Sequence, residues 1–356
     1  MVRMRSWIVF GLLVSVLAVC VPLRAQEPCT ITVGPGESIQ AAIDAAPEGA
    51  VICLSPGVWR ENLTISKNLT LQGKTAAESV IQGKGWDRPI LRIVEPAGVV
   101  LVQNLTVTGG QNVWGNGLIV EGTVLARVSK CVFTANDSHG LVFIEQAEGV
   151  VSDCTFFANK RYGLLLAHSS HAVVIDCVSH GNQWGGIGLE NDARAEIIGC
   201  TVFSNTPNGV VTVKNSRLRI LACDIYENGM IGILCKESSQ ATVLRCTICR
   251  NKTDGIQVAG SAQVTVNHCA ISQNVRQGIT LLDTSQSSID NNEILENGAH
   301  GVALGEQPCF NRDDSFAGLI TGRSNRITGN VLGLGCPASQ LEFLGTQSGG
   351  KLDRRE

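Results

Sequence analysis

The chain has 356 residues, of which 17% are charged and 4% aromatic, and its formal net charge is −3. That balance excludes a nucleic-acid partner, which would need a strongly basic surface. Fourteen cysteines and 39 glycines stand out against it, and their placement carries the first structural information.

Residues 1–25 read as a secretory signal. Arg3 and Arg5 precede an apolar run from Trp7 to Leu23, with a cut expected after Ala25. The expected location is therefore secreted, periplasmic or cell-envelope, with membrane attachment only through an uncleaved anchor. Removing the segment takes away Arg3, Arg5 and Arg24 and no acids, so the net charge moves from −3 to −6. Ser38 to Ala46 reads as a short amphipathic helix with Ser38 as N-cap, laid across the open first coil. Irregular coils follow through Leu69–Leu71, Leu91–Ile93 and Val99–Val107, with extra residues near Gly109 to Trp114.

From there a 23-residue step governs the chain. Cysteine recurs at 131, 154, 177, 200, 223, 246 and 269, asparagine from 136 to 297, and glycine from 140 to 301. A period of this size is the mark of a solenoid in which each repeat is one coil. In the coil from Cys131 to Asp153, Cys131 and Phe133 alternate with polar neighbours as a first strand. Asn136 to Gly140 is a turn, Leu141 and Phe143 open a second strand, and Val151 anchors a third beyond a polar corner. Three short strands and no helical period predict an all-β parallel β-helix of about 11 coils, stacked about 4.8 Å apart. Stacked asparagine amides are expected to bond to one another, and glycine to supply a backbone conformation that a side chain would oppose. A loop of about ten extra residues at 306–315 interrupts the period before Asn325–Asn330 restores it. The expected organisation is one monomeric domain over 26–346 and a flexible tail over 347–356.

Seven cysteines in one column cannot all pair, and in-register strands hold them wider apart than a relaxed disulfide wants. They are expected to be buried, unreactive thiols, with no metal ladder. The better disulfide candidates, near the chain ends, are Cys29 with Cys53 and Cys309 with Cys336.

Val33–Asp44, then Gly57–Glu61 and Asn68–Gly73, resemble the opening of right-handed parallel β-helix proteins of the pectate-lyase-like superfamily. The Asn-x-x-x-Gly-Ile repeats, such as Asn251 to Ile256, are similar to those of alginate epimerases and related carbohydrate-binding, sugar-hydrolase modules. The resemblance spans about 31–335 and implies a right-handed solenoid. The catalytic motifs of those enzymes are absent, since Asp137-Ser138-His139 shares only the outer residues of Asp-Pro-His.

Outward residues 23 apart become spatial neighbours. The turn column carries His139, Arg161, Tyr162 and Trp184, and farther along Arg276 and His300. Exposed aromatic faces can stack on sugars and arginine can grip uronate carboxylates, so His139, Arg161, Tyr162 and Trp184 are the expected substrate-binding residues. Asp153 and Asp176 fall on neighbouring rungs, about 5 Å apart. Like charges that close suit an acid–base pair, and the spacing also suits calcium as a cofactor. The 306–315 loop brings Asp313 and Asp314 toward Asp283, Arg276 and His300 as a further candidate. The functional expectation is an exported β-helix that binds an acidic polysaccharide. Were it catalytic, it would cleave or epimerise that polymer through Asp153 and Asp176 as lyase, hydrolase or epimerase. The alternative is a non-catalytic envelope scaffold that presents a surface to another protein.

Overall fold

Alternation of inward and outward side chains closes each coil. In the strand Leu141–Phe143, Leu141 and Phe143 point into the tube with 0% exposure. In the strand Glu148–Ser152 the inward positions are Gly149 and Val151. The structure, a computed structural model, describes residues 28–305, 316–345 and 350–353. The expected signal 1–25 and the loop 306–315, with Cys309, Asp313 and Asp314, lie outside the described residues.

Each coil contributes one strand to each of three sheets. Sheet A has 14 strands and includes Glu148–Ser152; sheet B has 12 and includes Thr155–Phe157; sheet C has 12 and includes Tyr162–Leu166. Strands pair in parallel with their counterparts one coil away, as Val150 with Val173 and Leu164 with Ile187. Twelve strands in sheets B and C make about twelve turns, against the eleven expected. The difference comes from the irregular early coils, each of which completes a turn although the 23-residue step is absent there. At about 4.8 Å per rung the rod is roughly 55–60 Å long. The segment expected as a flexible tail contains a strand, Gly350–Asp353, which closes sheet A by antiparallel pairing with Leu319–Arg323. Pairing there satisfies backbone groups that a last strand would otherwise leave open.

The core is one continuous column of Val, Ile, Leu, Phe and Cys, with Phe133 and Phe156 stacked at 5.4 Å. Burying each such aliphatic or aromatic side chain contributes about 1.5–3 kcal/mol. The helix Ile39–Ala45 closes the first coil, burying Ile39 and Ile43. The Ser38 side chain accepts a hydrogen bond from the Ala41 amide, and Glu61 of the next coil accepts from the Ile39 and Gln40 amides, both at 3.1 Å. Cys29 and Cys53 form the expected disulfide, with Cα atoms 5.7 Å apart. Cys336 is also disulfide-bonded.

Two buried ladders line two of the three edges. Between sheets B and C, each asparagine amide donates to the next: Asn159 to Asn182 and Asn182 to Asn205, both at 2.9 Å. The same oxygens also accept the preceding coil's backbone N–H, as from Asn182 to Asn205 at 3.1 Å. Between sheets A and B, the Cys154 and Cys177 amides donate to the sulfurs of Cys177 and Cys200 at 3.4 and 3.3 Å. All seven column cysteines are buried and free. The neighbouring thiol in the column, with burial, pushes Cys200, Cys223 and Cys246 up to about 12, so they stay protonated and inert near neutral pH. The glycine column answers a different need from the one expected. A Cβ on Gly209 would sit 2.6 Å from the Gly232 carbonyl and 2.8 Å from the Asn228 amide. Close packing against the asparagine ladder, rather than a left-handed φ, excludes side chains there.

Candidate functional site

The turns joining sheet B to sheet C vary in length, from two residues (61–62) to nine (109–117). The bends joining sheet A to sheet B keep two residues in every coil from Asn104–Leu105 to Ser324–Asn325. The long turns carry most of the protruding apolar groups. Ten large hydrophobic side chains are exposed among the described residues, and all but Val58 and Val99 lie on B–C turns. They include Trp86 (73% exposed), Trp114 (64%), Trp184 (49%) and Met230 (45%). Trp86 and Trp114 are one coil apart, and Trp184 is three coils farther on, about 14 Å along the rod.

At the centre of this edge the structure brings together all four residues expected to bind substrate. His139 and Tyr162 stack with ring centroids 5.8 Å apart. Trp184 stands edge-on to Tyr162 at 6.3 Å, and the Arg161 guanidinium lies 4.6 Å over the Trp184 ring. Two of the four are not open to solvent as expected: His139 is 6% exposed and Tyr162 8%. The cause lies on sheet C, where Gly185 and Gly188 leave a bare strip in which the Tyr162 ring is seated; a Cβ on Gly188 would come within 2.9 Å of it. Tyr162 thus joins Val142, Leu165, Val211 and Leu234 in a second hydrophobic cluster outside the tube.

Burial sets the chemistry of the pair. Desolvation, helped by the Arg161 charge, lowers His139 to about 3, so the imidazole is neutral and its Nδ1 accepts from the Tyr162 amide at 3.2 Å. Burial, with the nearby Glu190 carboxylate, raises Tyr162 to about 12. Neither group exchanges a proton near pH 7, so both position the cluster rather than supply acid–base chemistry. Arg161 and Trp184 are the members of the cluster left open to solvent.

Electrostatics along this edge are one-sided. Asp87, Asp137 and Glu227 are paired with Arg88, Lys160 and Arg250 at 3.2, 2.7 and 3.0 Å. Glu296 accepts from Gln273 at 3.1 Å, and Asp254 is buried, accepting from Thr280 and the Gln277 amide. Lys84, Lys252 and Arg276 are exposed and make no ion pair among the described residues. The available charge is therefore cationic.

Asp153 and Asp176 stand elsewhere, on the bend between sheets A and B. Both are exposed, with φ of 53° and 50°, in a column whose other members include Lys130, Ala222 and Arg245 in the same left-handed conformation. Asp is tolerated in this region better than most residues, which supplies a backbone reason for its presence. The Asp176 carboxylate lies against Gly199 of the next coil. The two acids share neighbouring rungs but are not brought to the Arg161–Trp184 cluster, which sits on a different edge. No group of three or more His, Cys, Asp or Glu side chains suited to a metal forms among the described residues. The contributions of Trp86 and Trp114 escape a periodic reading because insertions in their turns shift them off the 23-residue columns.

Residues 92–221 and 211–336 match the family described as right-handed beta helix region. Among solved structures, the chain is similar to the A-module of the mannuronan C-5 epimerase AlgE6 of Azotobacter vinelandii, with 18% identity and a TM-score of 0.59 over 83% of this chain and 92% of that one. It is similar to the periplasmic alginate epimerase AlgG, with 14% identity and a TM-score of 0.60 over 85% and 82%. The Dettilon tailspike protein aligns with 12% identity and a TM-score of 0.64 over 85% and 68%. At these identities the likeness is one of fold. No curated protein sequence matches.

Proposed function

This chain belongs to the right-handed β-helix family, and we propose that it binds an acidic polysaccharide along the edge between sheets B and C. The observation that carries the reading is the coincidence on that one edge of Trp86, Trp114 and Trp184 with the unpaired cations Lys84, Lys252 and Arg276. Exposed indole faces stack on sugar rings, and guanidinium and ammonium groups recognise carboxylates. A polymer running along the rod meets one rung about every 4.8 Å, so successive sugars reach successive turns. Arg161, held on Trp184 by the cation–π contact, would orient its donors toward a uronate; His139 and Tyr162 hold that pair in place from beneath. Fold likeness to two alginate epimerases points to the same substrate class. The disulfide Cys29–Cys53 suits an oxidising compartment, secreted or periplasmic.

The test is affinity electrophoresis of the protein through gels containing alginate or polygalacturonate. Retardation by a uronate polymer is expected, with the double variant Arg161→Ala/Trp184→Ala weakened about tenfold. Migration unaffected by every uronate polymer would overturn the reading. Proton NMR and mass spectrometry of the recovered polymer test catalysis. Shortened, unsaturated or epimerised chains that vanish in Asp153→Asn/Asp176→Asn would assign the reaction to those carboxylates.

A further inference from the structure

A second surface has different chemistry. The outer face of sheet A is hollowed into a shallow groove of about 400 Å³ across the coils from Arg217 to Thr321. Its long axis follows two columns. Gln240, Gln263 and Gln286 are in-register neighbours on successive strands, and so are Thr242, Thr265, Ser288 and Thr321. Arg217, at one end, is the single charged residue of the lining. None of the three glutamine side-chain carboxamides hydrogen-bonds to another protein group, nor do the hydroxyls of Thr242, Thr265 or Thr321.

Stacked carboxamides at rung spacing usually bond to one another, as the asparagines of the B–C edge do at 2.9–3.1 Å. Here the glutamines leave both donors and acceptors free. Backbone groups of sheet A are engaged within the sheet, so an extended peptide cannot add to this face by strand pairing. A ligand matched to the groove carries many hydroxyls, which donate and accept equally well, and no net charge. It is linear, with a repeat near the rung spacing of about 4.8 Å. We propose that the sheet A groove is a second binding site, for a neutral polysaccharide chain lying along the rod axis. Each sugar would exchange hydrogen bonds with one glutamine amide and one threonine or serine hydroxyl per coil. The inference does not depend on the acidic-polymer reading, because the groove and the Arg161–Trp184 cluster share no residue.

The experiment is affinity electrophoresis of the full chain through gels containing hydroxyethyl cellulose, galactomannan or dextran, with an alginate gel run in parallel. At least one neutral polymer is expected to retard the parent. Gln240→Ala/Gln263→Ala/Gln286→Ala should weaken that retention by about tenfold or more, as three hydrogen-bonding groups are lost, while alginate retention stays unchanged. A second variant, Thr265→Lys, fills the groove from its centre and should have the same effect; circular dichroism melting confirms that both variants fold. The proposal is overturned if no neutral polymer retards the parent, or if both variants are retarded as the parent is. Loss of alginate retention in the groove variants would also overturn it, by assigning this face to the acidic polymer. Failure of the parent to bind alginate while it binds a neutral polymer would sink the acidic-polymer reading alone.

Discussion

The two laddered edges of the prism are built from the same 23-residue step yet behave differently. At the A–B edge every bend from Asn104 to Ser324 has two residues, the first in each case from Lys130 to His268 being left-handed, and the buried column is cysteine from Cys131 to Cys269, between Leu105 and Asn292. At the B–C edge the turn length varies and the buried column is asparagine throughout the regular coils. A thiol is a weak donor and a weaker acceptor, whereas a carboxamide satisfies a side-chain and a backbone donor at once. The insertions that display Trp86 and Trp114 fall on the B–C edge in the two coils before the ladder begins at Asn136, and Gly110 stands in the asparagine's place there. The edge with the weak ladder depends on an unvarying bend. Where the asparagine ladder runs, from Asn136 to Asn297, the 23-residue step admits no insertion.

Breaking the ladders separately exposes the difference. Asn205→Ala removes the acceptor of the Asn182 amide side chain and of its backbone N–H. Two donors are stranded in the core, so a loss of about 3–4 kcal/mol is expected, read as a drop in the urea midpoint. Acid should weaken the B–C edge next. His139 is held near 3 in the fold against an ordinary 6.5, so the unfolded chain binds the extra proton. Its contribution is complete above pH 6.5 and is lost progressively toward pH 3, amounting to about 2 kcal/mol by pH 5. His139→Asn, placing there the residue found at 116 and 208 in the same column, should flatten that slope in urea titrations at pH 4–7. A pH dependence unchanged by the substitution would refute the assignment.

At the A–B edge the effects are smaller. Cys200→Ala removes a weak sulfur acceptor at 3.3 Å and a small volume, for an expected loss of about 1 kcal/mol. The native protein should resist thiol-labelling reagents at all seven column positions until it is unfolded; rapid labelling under native conditions would contradict their burial. Least of all, Trp184→Ser should leave the melting temperature within about 1–2 °C of the parent, because half of that side chain is in solvent. A larger shift would give Trp184 a structural role and weaken its claim as a ligand contact.

Much of this molecule was legible from residue spacing. The recurrence of Cys, Asn and Gly identified the coil, its three strands and the asparagine ladder, because in a stack of identical coils sequence period and spatial neighbourhood coincide. The helix Ile39–Ala45 and the Cys29–Cys53 disulfide were legible from capping chemistry and position. The four-residue cluster was found as well, but the exposure of two members was not. The Tyr162 ring lies down on Gly185 and Gly188, one coil on, and that depends on the shape of the neighbour rather than on Tyr162 itself. The carboxylates Asp153 and Asp176 illustrate the opposite limit: adjacency along the period placed them together, but the backbone bend they occupy explains them without chemistry. The glutamine column of sheet A has the right spacing too, yet spacing cannot say whether amides bond to one another or face outward unpaired.

What the sequence determined by itself was the periodic part: the solenoid, its step, the inward columns and the buried ladders, since these follow from hydrogen bonding and packing between copies of one unit. What only the tertiary structure decided was the aperiodic surface. It placed three tryptophans from turns of different length on one edge, sank Tyr162 and His139 beneath that edge, and hollowed sheet A. Those outcomes depend on side-chain volumes meeting across coils and on loop insertions, neither of which carries a period.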